Sequence, residues 1–155
     1  MQRIIVADTS CLILLHKIQR MELPRALFGS TVITNEVASE CNFELPDFFR
    51  IFEPKDPNYF KILRNFLDKG EASVIALALE YADCHLIEDD FKGRREAKSL
   101  GIKITGTLGI LLLAKEKNLI KAVRPLIQQI QATIFRISQS LIEKTLKMAG
   151  EINSR

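Results

Sequence analysis

Several acidic positions in this sequence stand where carboxylates could do chemistry. They are Asp8, Glu36, Glu71 and the pair Asp89-Asp90. Asp8 follows the apolar run 4–7, which has the character of a buried strand, and Asp90 ends an acidic triplet after a second strand-like run. If these carboxylates converge, they raise one another's pKa and require a compensating positive charge. Mg²⁺ or Mn²⁺ would supply it, because both ions prefer oxygen ligands.

A metal held by such carboxylates predicts hydrolysis of a phosphodiester. A metal ion lowers the pKa of bound water and stabilises the charge of a phosphate during in-line displacement. Thr9 and Ser10, directly after Asp8, could hydrogen-bond a metal-bound water or a phosphate, or could serve simply as turn and cap residues. The acids have structural alternatives too: Asp8 could cap a helix, and Glu36 and Glu71 could complement helix dipoles.

Other phosphate and nucleophile chemistries lack their residues here. The sequence has no Gly-x-x-x-x-Gly-Lys phosphate-binding loop. An Asp-x-Asp phosphohydrolase would need a second acid where Ser10 stands, and a receiver-type phosphoacceptor would need adjacent acids where Asp8 stands alone. No Ser-His-Asp or Cys-His arrangement is visible, and His16 and His85 are better explained as structural residues.

Basic residues follow the last acids along the chain. Arg94 and Arg95 lie one helical turn beyond Asp90, where they could hold a nucleic-acid backbone by sequence-independent contacts. A solvated helix face is the alternative for this segment.

Strand-like and helix-like segments alternate along the chain and would position these groups. The predicted strands are 3–7, 31–33, 49–52, 85–87 and 102–104, and the main predicted helices are 10–19, 22–28, 59–67, 71–81, 92–100 and 105–117, with a short one that carries 36–38. This alternation predicts a parallel sheet with right-handed crossovers. Ligands collect outside the carboxyl ends of such strands, where Asp8 and Asp90 stand.

The predicted fold class is α/β: a three-layer α/β/α sandwich with a mainly parallel central sheet and a helical C-terminal extension. Residues 1–124 would form the main domain, and residues 125–155 an extension packed on that domain. Ser140 and Glu143 in the extension have the spacing of a capping box. The apolar residues of these helices could instead serve oligomerisation or partner docking.

Length and composition bound the remaining possibilities. With 155 residues, of which 47% are apolar and 26% charged, the chain suits one globular domain. The net charge of +3 is compatible with a nucleic-acid partner without requiring one. Cys11, Cys41 and Cys84 fit neither a zinc site nor a disulfide framework. Since no signal peptide or membrane-spanning run is visible, we expect a cytoplasmic protein with no membrane partner.

Four motifs resemble a PIN domain in their order and spacing. They are Ile-Val-Ala-Asp-Thr-Ser at 5–10, Thr-Asn-Glu-Val at 34–37, Lys-Gly-Glu-Ala-Ser at 69–73 and Leu-Ile-Glu-Asp-Asp-Phe-Lys-Gly-Arg-Arg at 86–95. More narrowly, Gly-Glu-Ala at 70–72 together with Ile-Thr-Gly-Thr-Leu-Gly-Ile-Leu at 104–111 is similar to an uncharacterised nucleic-acid-binding PIN-like branch related to VapC-type toxins. The resemblance spans roughly residues 3–124, and the final helices also suit that branch.

The resemblance implies a Mg²⁺- or Mn²⁺-dependent endoribonuclease, often a toxin that a small antitoxin neutralises, and often a homodimer. Carried over by position, Asp8 would be the first metal ligand, Glu36 the second and Asp90 the last, with Asp89 sharing the role of Asp90. Glu71 stands where these toxins usually have Asp, and its extra methylene could change the metal spacing. The alternative is a PIN-like module with weak or no catalysis that binds RNA or a protein.

Overall fold

A five-stranded parallel sheet forms the centre of the molecule. The computed structural model describes residues 3–152. Its strands are β1 (Ile4–Ala7), β2 (Thr31–Ile33), β3 (Phe49–Ile51), β4 (Cys84–Ile87) and β5 (Lys103–Thr105). Their order in the sheet is β3-β2-β1-β4-β5, and every neighbouring pair is parallel. The predicted parallel α/β/α sandwich is therefore confirmed.

Nine helices surround this sheet within residues 3–152. They are α1 (Thr9–Lys17), α2 (Leu23–Phe28), α3 (Asn35–Glu40), α4 (Pro57–Leu63), α5 (Lys69–Ala78), α6 (Phe91–Ser99), α7 (Thr107–Glu116), α8 (Arg124–Gln131) and α9 (Gln139–Met148). The observed ends mostly differ from the predicted ones by one to three residues. For example, α7 begins after Gly106, because that glycine still has an extended backbone. No helix in this part of the chain is long and apolar enough to cross a membrane.

The register between β1 and β4 aligns the carboxyl ends of these two strands. Ile4 pairs with Cys84, and the pairing continues in step to Ala7 and Ile87. The residues at the end of this ladder are completely or almost completely buried. The next residues along the two chains, Asp8 and Glu88, therefore leave the centre of the sheet at the same level.

Helix α5 packs on several elements at once, as its apolar sequence predicts. Every residue from Gly70 to Ala78 is buried, and α5 contacts α3, α4, α6, β1 and β4. A helix that is apolar on all sides needs such surroundings, since any exposed face would leave apolar area in water. This packing holds the first turn of α5 against the carboxyl edge of the sheet.

The C-terminal helices join the same hydrophobic core. Leu126 and Ile130 of α8, with Ile142 and Leu146 of α9, are buried in one cluster with the sheet residues. The predicted capping box at Ser140 is wrong: Ser138 is the N-cap of α9, and its Oγ accepts a hydrogen bond from the Leu141 N–H at 3.2 Å. The helix is therefore capped two residues before the predicted position.

Candidate metal centre

Three carboxylates from separate parts of the chain converge at the carboxyl edge of the sheet. They belong to Asp8 after β1, Glu71 in the first turn of α5, and Glu88 after β4. One oxygen from each lies within 4.8 Å of the other two. The exposed fraction is 3% for Asp8, 5% for Glu71 and 0% for Glu88, so water screens these charges poorly.

Asp8 stands at the N-cap position of α1, but its carboxylate does not cap the helix. Its side chain accepts no capping hydrogen bond from the first turn, and Oδ1 is buried without a partner. The hydroxyls of Thr9 and Ser10 beside it are also buried without partners. An uncapped aspartate with unsatisfied neighbours indicates a binding role, because buried polar atoms normally find partners within the protein.

The two side-chain oxygens of Glu71 have different roles, one in a helix cap and one in the acidic centre. Its N–H donates to Asp68 at 2.9 Å, and its Oε1 accepts from the Asp68 N–H at 3.4 Å, which completes a capping box. Its Oε2 is buried and has no partner. The cap therefore fixes the glutamate while leaving one oxygen free for a ligand.

Glu88 is held in a similar way and lies against the backbone of α6. Its Oε1 accepts from the Asp90 N–H at 2.9 Å, whereas Oε2 has no partner. A Cβ added to Gly93 would lie 2.9 Å from Glu88 Oε2 and 3.1 Å from Glu71 Oε2. Glycine at this position therefore lets the first turn of α6 approach two carboxylates of the centre.

Burial raises the pKa values of all three acids, and the charges of neighbouring carboxylates add to the rise. Burial is the largest cause for each: it raises the pKa of Asp8 to about 6, although a hydrogen bond with Glu88 partly opposes the rise. Burial and the neighbouring Asp90 carboxylate raise the pKa of Glu71 to about 9. Burial and the charge of Asp8 raise the pKa of Glu88 to about 11. Without a cation, the centre therefore holds protons near neutral pH.

The donor set fits a hard divalent cation. Each of the three acids contributes a buried oxygen that lacks a hydrogen-bond donor, and oxygen is the ligand that Mg²⁺ and Mn²⁺ prefer. The three acids retain protons because their pKa values are raised. A cation would replace these protons and would satisfy all three oxygens. Asp8, Glu71 and Glu88 are thus the residues that would hold it.

Asp90, predicted as the last acidic ligand, borders this centre. Its Oδ1 accepts from the Lys92 N–H at 2.9 Å and the Gly93 N–H at 3.4 Å, so it caps α6. The neighbouring Glu71 carboxyl is the main cause that lowers the Asp90 pKa. Asp90 therefore lies beside a member of the centre, while one of its oxygens already caps α6.

Among the described residues, Asp89 lies outside the group of converging oxygens and contacts Thr107. Its Oδ1 accepts from the Thr107 N–H at 2.8 Å, and its Oδ2 accepts from the Thr107 hydroxyl at 2.5 Å. Both oxygens are thus used to hold the start of α7. The structure thus gives Asp89 a contact with Thr107, and the metal role that the resemblance implied stays a prediction.

Glu36 and Glu40 lie on the α3 side of this edge. Within the described chain, Glu36 is outside the group of converging oxygens, although its Oε2 is buried and unpartnered. Glu40, which the sequence analysis did not select, approaches so closely that a Cβ on Gly70 would lie 2.5 Å from its Oε1. Burial and the charge of Asp68 raise the Glu40 pKa, and Glu40 in turn contributes to the raised pKa of Asp8.

The two arginines predicted to bind substrate have different surroundings. Arg94 is half-buried, and its guanidinium donates to the Glu88 carbonyl oxygen at 2.9 Å. Arg95 is exposed to solvent. Arg94 therefore braces the segment that carries Glu88, and Arg95 is free to meet a ligand in solution.

Glu88 is the member of the centre that the sequence analysis missed. A signal was available: Glu88 directly follows its strand, as Asp8 follows β1. In the acidic triplet 88–90, the prediction favoured the two later residues. The carboxylate that joins the centre belongs instead to Glu88, the first residue after the strand.

The family of the chain follows from a comparison with known families. A family model described as a PIN domain (DUF3368) matches residues 4–151, and the chain therefore belongs to the PIN domain family. PIN domains are generally nucleases and typically use divalent metals, in agreement with the buried acidic centre. The match continues through α8 and α9. No curated protein matches the chain at a significant level.

Proposed function

We propose that this protein is a divalent-metal-dependent endoribonuclease that hydrolyses RNA phosphodiesters with Mg²⁺ or Mn²⁺. The observation that carries the proposal is the convergence of three buried, unpartnered carboxylate oxygens from Asp8, Glu71 and Glu88. Gathering these groups opposes folding through desolvation and repulsion, which indicates that a ligand compensates for the cost. Membership of a family of nucleases supports phosphodiester hydrolysis as the reaction.

Each residue of the edge has a defined task in this proposal. A bound cation would supply an activated water and offset the charge of the phosphate. Asp8, Glu71 and Glu88 would hold the cation, and the hydroxyls of Thr9 and Ser10 offer hydrogen bonds to a water or phosphate oxygen. The water oxygen bonds to phosphorus and one P–O ester bond breaks. One proton of the water ends on the leaving oxygen, and the other ends on the new phosphate monoester or in solvent.

Cleavage of a single-stranded RNA in the presence of Mg²⁺ or Mn²⁺ tests the proposal directly. Asp8→Asn and Glu88→Gln should each reduce the rate by at least about a hundredfold, because each removes a charge that holds the cation. Glu116→Gln is the matched control, since Glu116 is an exposed acid on α7. Cleavage that survives both chelation and Asp8→Asn would rule out this centre.

A binding module with weak catalysis is the second candidate. Glu71 favours it, because this glutamate stands where VapC-type toxins usually have Asp and its extra methylene could change the metal spacing. Under this alternative, RNA binding would persist without divalent ions, and no turnover would be detected with either metal.

We further propose that the protein acts as the toxin of a VapBC-type pair. The similarity of its motifs to that branch supports this role, and a small antitoxin would then be its partner. Expression in a bacterial host should arrest growth, and Asp8→Asn should relieve the arrest. Growth arrest that Asp8→Asn leaves unchanged would separate toxicity from the acidic centre.

We also propose that the protein forms a homodimer and acts in the cytoplasm. Tyr59, Ile62 and Phe66 are about half exposed, and their spacing places them on one side of α4 and the turn after it. Large apolar side chains grouped at the surface are typical of an association surface. Light scattering of the wild type and of Ile62→Asp tests it, with a monomer expected for the variant.

A further inference from the structure

Phe91 is an exposed aromatic residue at the rim of the acidic centre. It is the first residue of α6, and 76% of its surface is exposed. A side chain so exposed contributes little to the core, and a Phe adds nothing to the capping that Asp90 already provides. Neither the core nor the cap of α6 therefore explains an aromatic residue at this position.

The backbone places Phe91 close to the converging carboxylates. It follows Asp90, whose N–H donates to Glu88 Oε1 at 2.9 Å, and it lies two residues before Gly93, where an added Cβ would contact Glu71 and Glu88. Two residues along a helix separate Cα atoms by about 5–6 Å. Side chains of a helix lean toward its N-terminus, so the ring leans toward the end of α6 that meets the centre.

Cationic side chains flank this ring. Lys92 and Arg95 are exposed on α6, within one turn of Phe91. An aromatic face beside mobile positive charges is the combination that binds single-stranded nucleic acid, because bases stack on the ring and phosphates attract the cations.

We infer that Phe91 stacks on the nucleobase next to the phosphate held at the Asp8–Glu71–Glu88 centre. The inference rests on the proposed function for the identity of that phosphate, and it adds a subsite for one unpaired nucleotide. The stacked base positions the strand, while Lys92 and Arg95 contact the flanking phosphates. Phe91 is a positioning residue, since the acids alone contact the reacting group.

The absence of tryptophan from the sequence makes this subsite measurable. A Phe91→Trp variant carries a single tryptophan whose fluorescence a stacked base quenches. The Asp8→Asn background prevents cleavage, and a ten-nucleotide oligoadenylate RNA serves as the probe. Tyr81→Trp in the same background is the control, because Tyr81 is also exposed but follows the end of α5 that is opposite Glu71. We expect strong quenching for the Phe91→Trp variant and little for the Tyr81→Trp variant.

A second measurement separates stacking from a general loss of binding. Phe91→Ala should weaken RNA binding by about 5- to 150-fold, whereas Phe91→Tyr should retain it. When abasic nucleotides are placed one at a time along the RNA, one position should abolish the effect of Phe91→Ala. That position should neighbour the cleavage site in the wild type.

The outcomes distinguish this inference from the proposed nuclease function. Quenching without cleavage by the wild type would retain the stacking subsite and overturn the nuclease. Cleavage by the wild type with equal or absent quenching in both tryptophan variants would overturn the subsite alone. A failure of the RNA to bind at all would overturn the subsite too and would point to a protein ligand for Phe91.

Discussion

Asp8 and Glu88 end adjacent parallel strands at the same level, because the register pairs Ala7 with Ile87. Each is nearly or completely buried, and each has an oxygen without a hydrogen-bond partner. In the absence of a cation, burial raises the pKa of both acids, and the charge of Asp8 adds to the rise for Glu88. The relationship links the sheet register directly to metal binding, and it suggests that stability and function oppose each other at this edge.

Glu88→Gln should separate these two effects. The amide removes a buried charge, so we expect the metal-free protein to be as stable as the wild type or more stable. Saturating Mn²⁺ should raise the melting temperature of the wild type by roughly 5–10 °C and that of Glu88→Gln hardly at all. Thermal unfolding followed by circular dichroism measures both values.

Asp89→Ala is the contrasting variant from the same acidic triplet. It removes two hydrogen bonds to Thr107 and should cost about 1–3 kcal/mol of unfolding free energy. Because Asp89 lies outside the centre, the rise of melting temperature with Mn²⁺ should remain. If Asp89→Ala loses the response to Mn²⁺ while Glu88→Gln retains it, Asp89 and not Glu88 belongs to the metal centre.

The sheet was predictable from the sequence, since its strands are short apolar runs bounded by polar residues. The run 31–33 is a strand with the predicted ends, and the residues after β1 and β4 lie at the predicted edge. Burial on both faces requires continuous apolar strands, and right-handed crossovers leave few alternative topologies. These constraints act within short segments or apply to all parallel sheets. A single sequence was therefore enough to predict the strands and their arrangement.

The assignment of individual oxygens was not predictable in the same way. Glu88, Asp89 and Asp90 are consecutive acids, yet one joins the centre, one binds Thr107 and one caps α6. These roles depend on side-chain direction at the end of β4 and on the approach of α6 and α7. Such tertiary contacts leave no periodic signal in the sequence, which is why Glu88 was missed.

Gly93→Ala should disturb the centre with little effect on the helix. The added Cβ would lie 2.9 Å from Glu88 Oε2 and 3.1 Å from Glu71 Oε2, so one or both carboxylates must move. We expect at least about a tenfold loss of RNA cleavage, because small displacements at a reacting centre have large effects on rate. A titration with Mn²⁺ should show weaker binding.

Gly101→Ala provides the control for that substitution. Gly101 has a φ of +78°, and a Cβ there would contact nothing within 4 Å. The change should cost about 1 kcal/mol through backbone strain and leave cleavage and Mn²⁺ binding unchanged. If both glycine variants lose the same activity, the effect comes from stability and not from the carboxylates.

Glu151 should stabilise the C-terminal segment in a pH-dependent way. Its carboxylate accepts from the Val123 N–H at 2.6 Å and the Arg124 N–H at 2.9 Å, and it pairs with Lys115 at 3.0 Å. Burial alone would raise its pKa, but these donors together lower it below the ordinary 4.5. A lowered folded-state pKa gives stability that is present above about pH 4.5 and lost as the pH falls through the folded value.

Urea unfolding of Glu151→Ala tests this contact. We expect a loss of about 1–3 kcal/mol at neutral pH, and a smaller difference from the wild type below about pH 4. Glu143→Ala is the control, because Glu143 is an exposed acid on α9. An equal effect of both variants at all pH values would contradict the role of the Glu151 carboxylate.

The metal-free protein should lose stability as the pH rises, and added metal should reverse the trend. The folded-state pKa values of Glu71 and Glu88 are about 9 and about 11, compared with an ordinary 4.5. Their contribution is therefore fully present below about pH 4.5 and is lost as the pH rises toward the folded values. A cation binds the deprotonated acids, so its stabilising effect should grow over the same range.

Melting temperatures measured with a chelator and with Mn²⁺ across about pH 5 to pH 9 give the comparison. The two curves should lie close together at acidic pH and separate as the pH rises, because protons and cation compete for the same oxygens. Glu88→Gln should flatten the chelator curve and bring the Mn²⁺ curve onto it, since the variant lacks the group with the highest pKa. A constant separation at every pH would show that Mn²⁺ binds elsewhere on the protein, because no proton would then be released from the acidic centre.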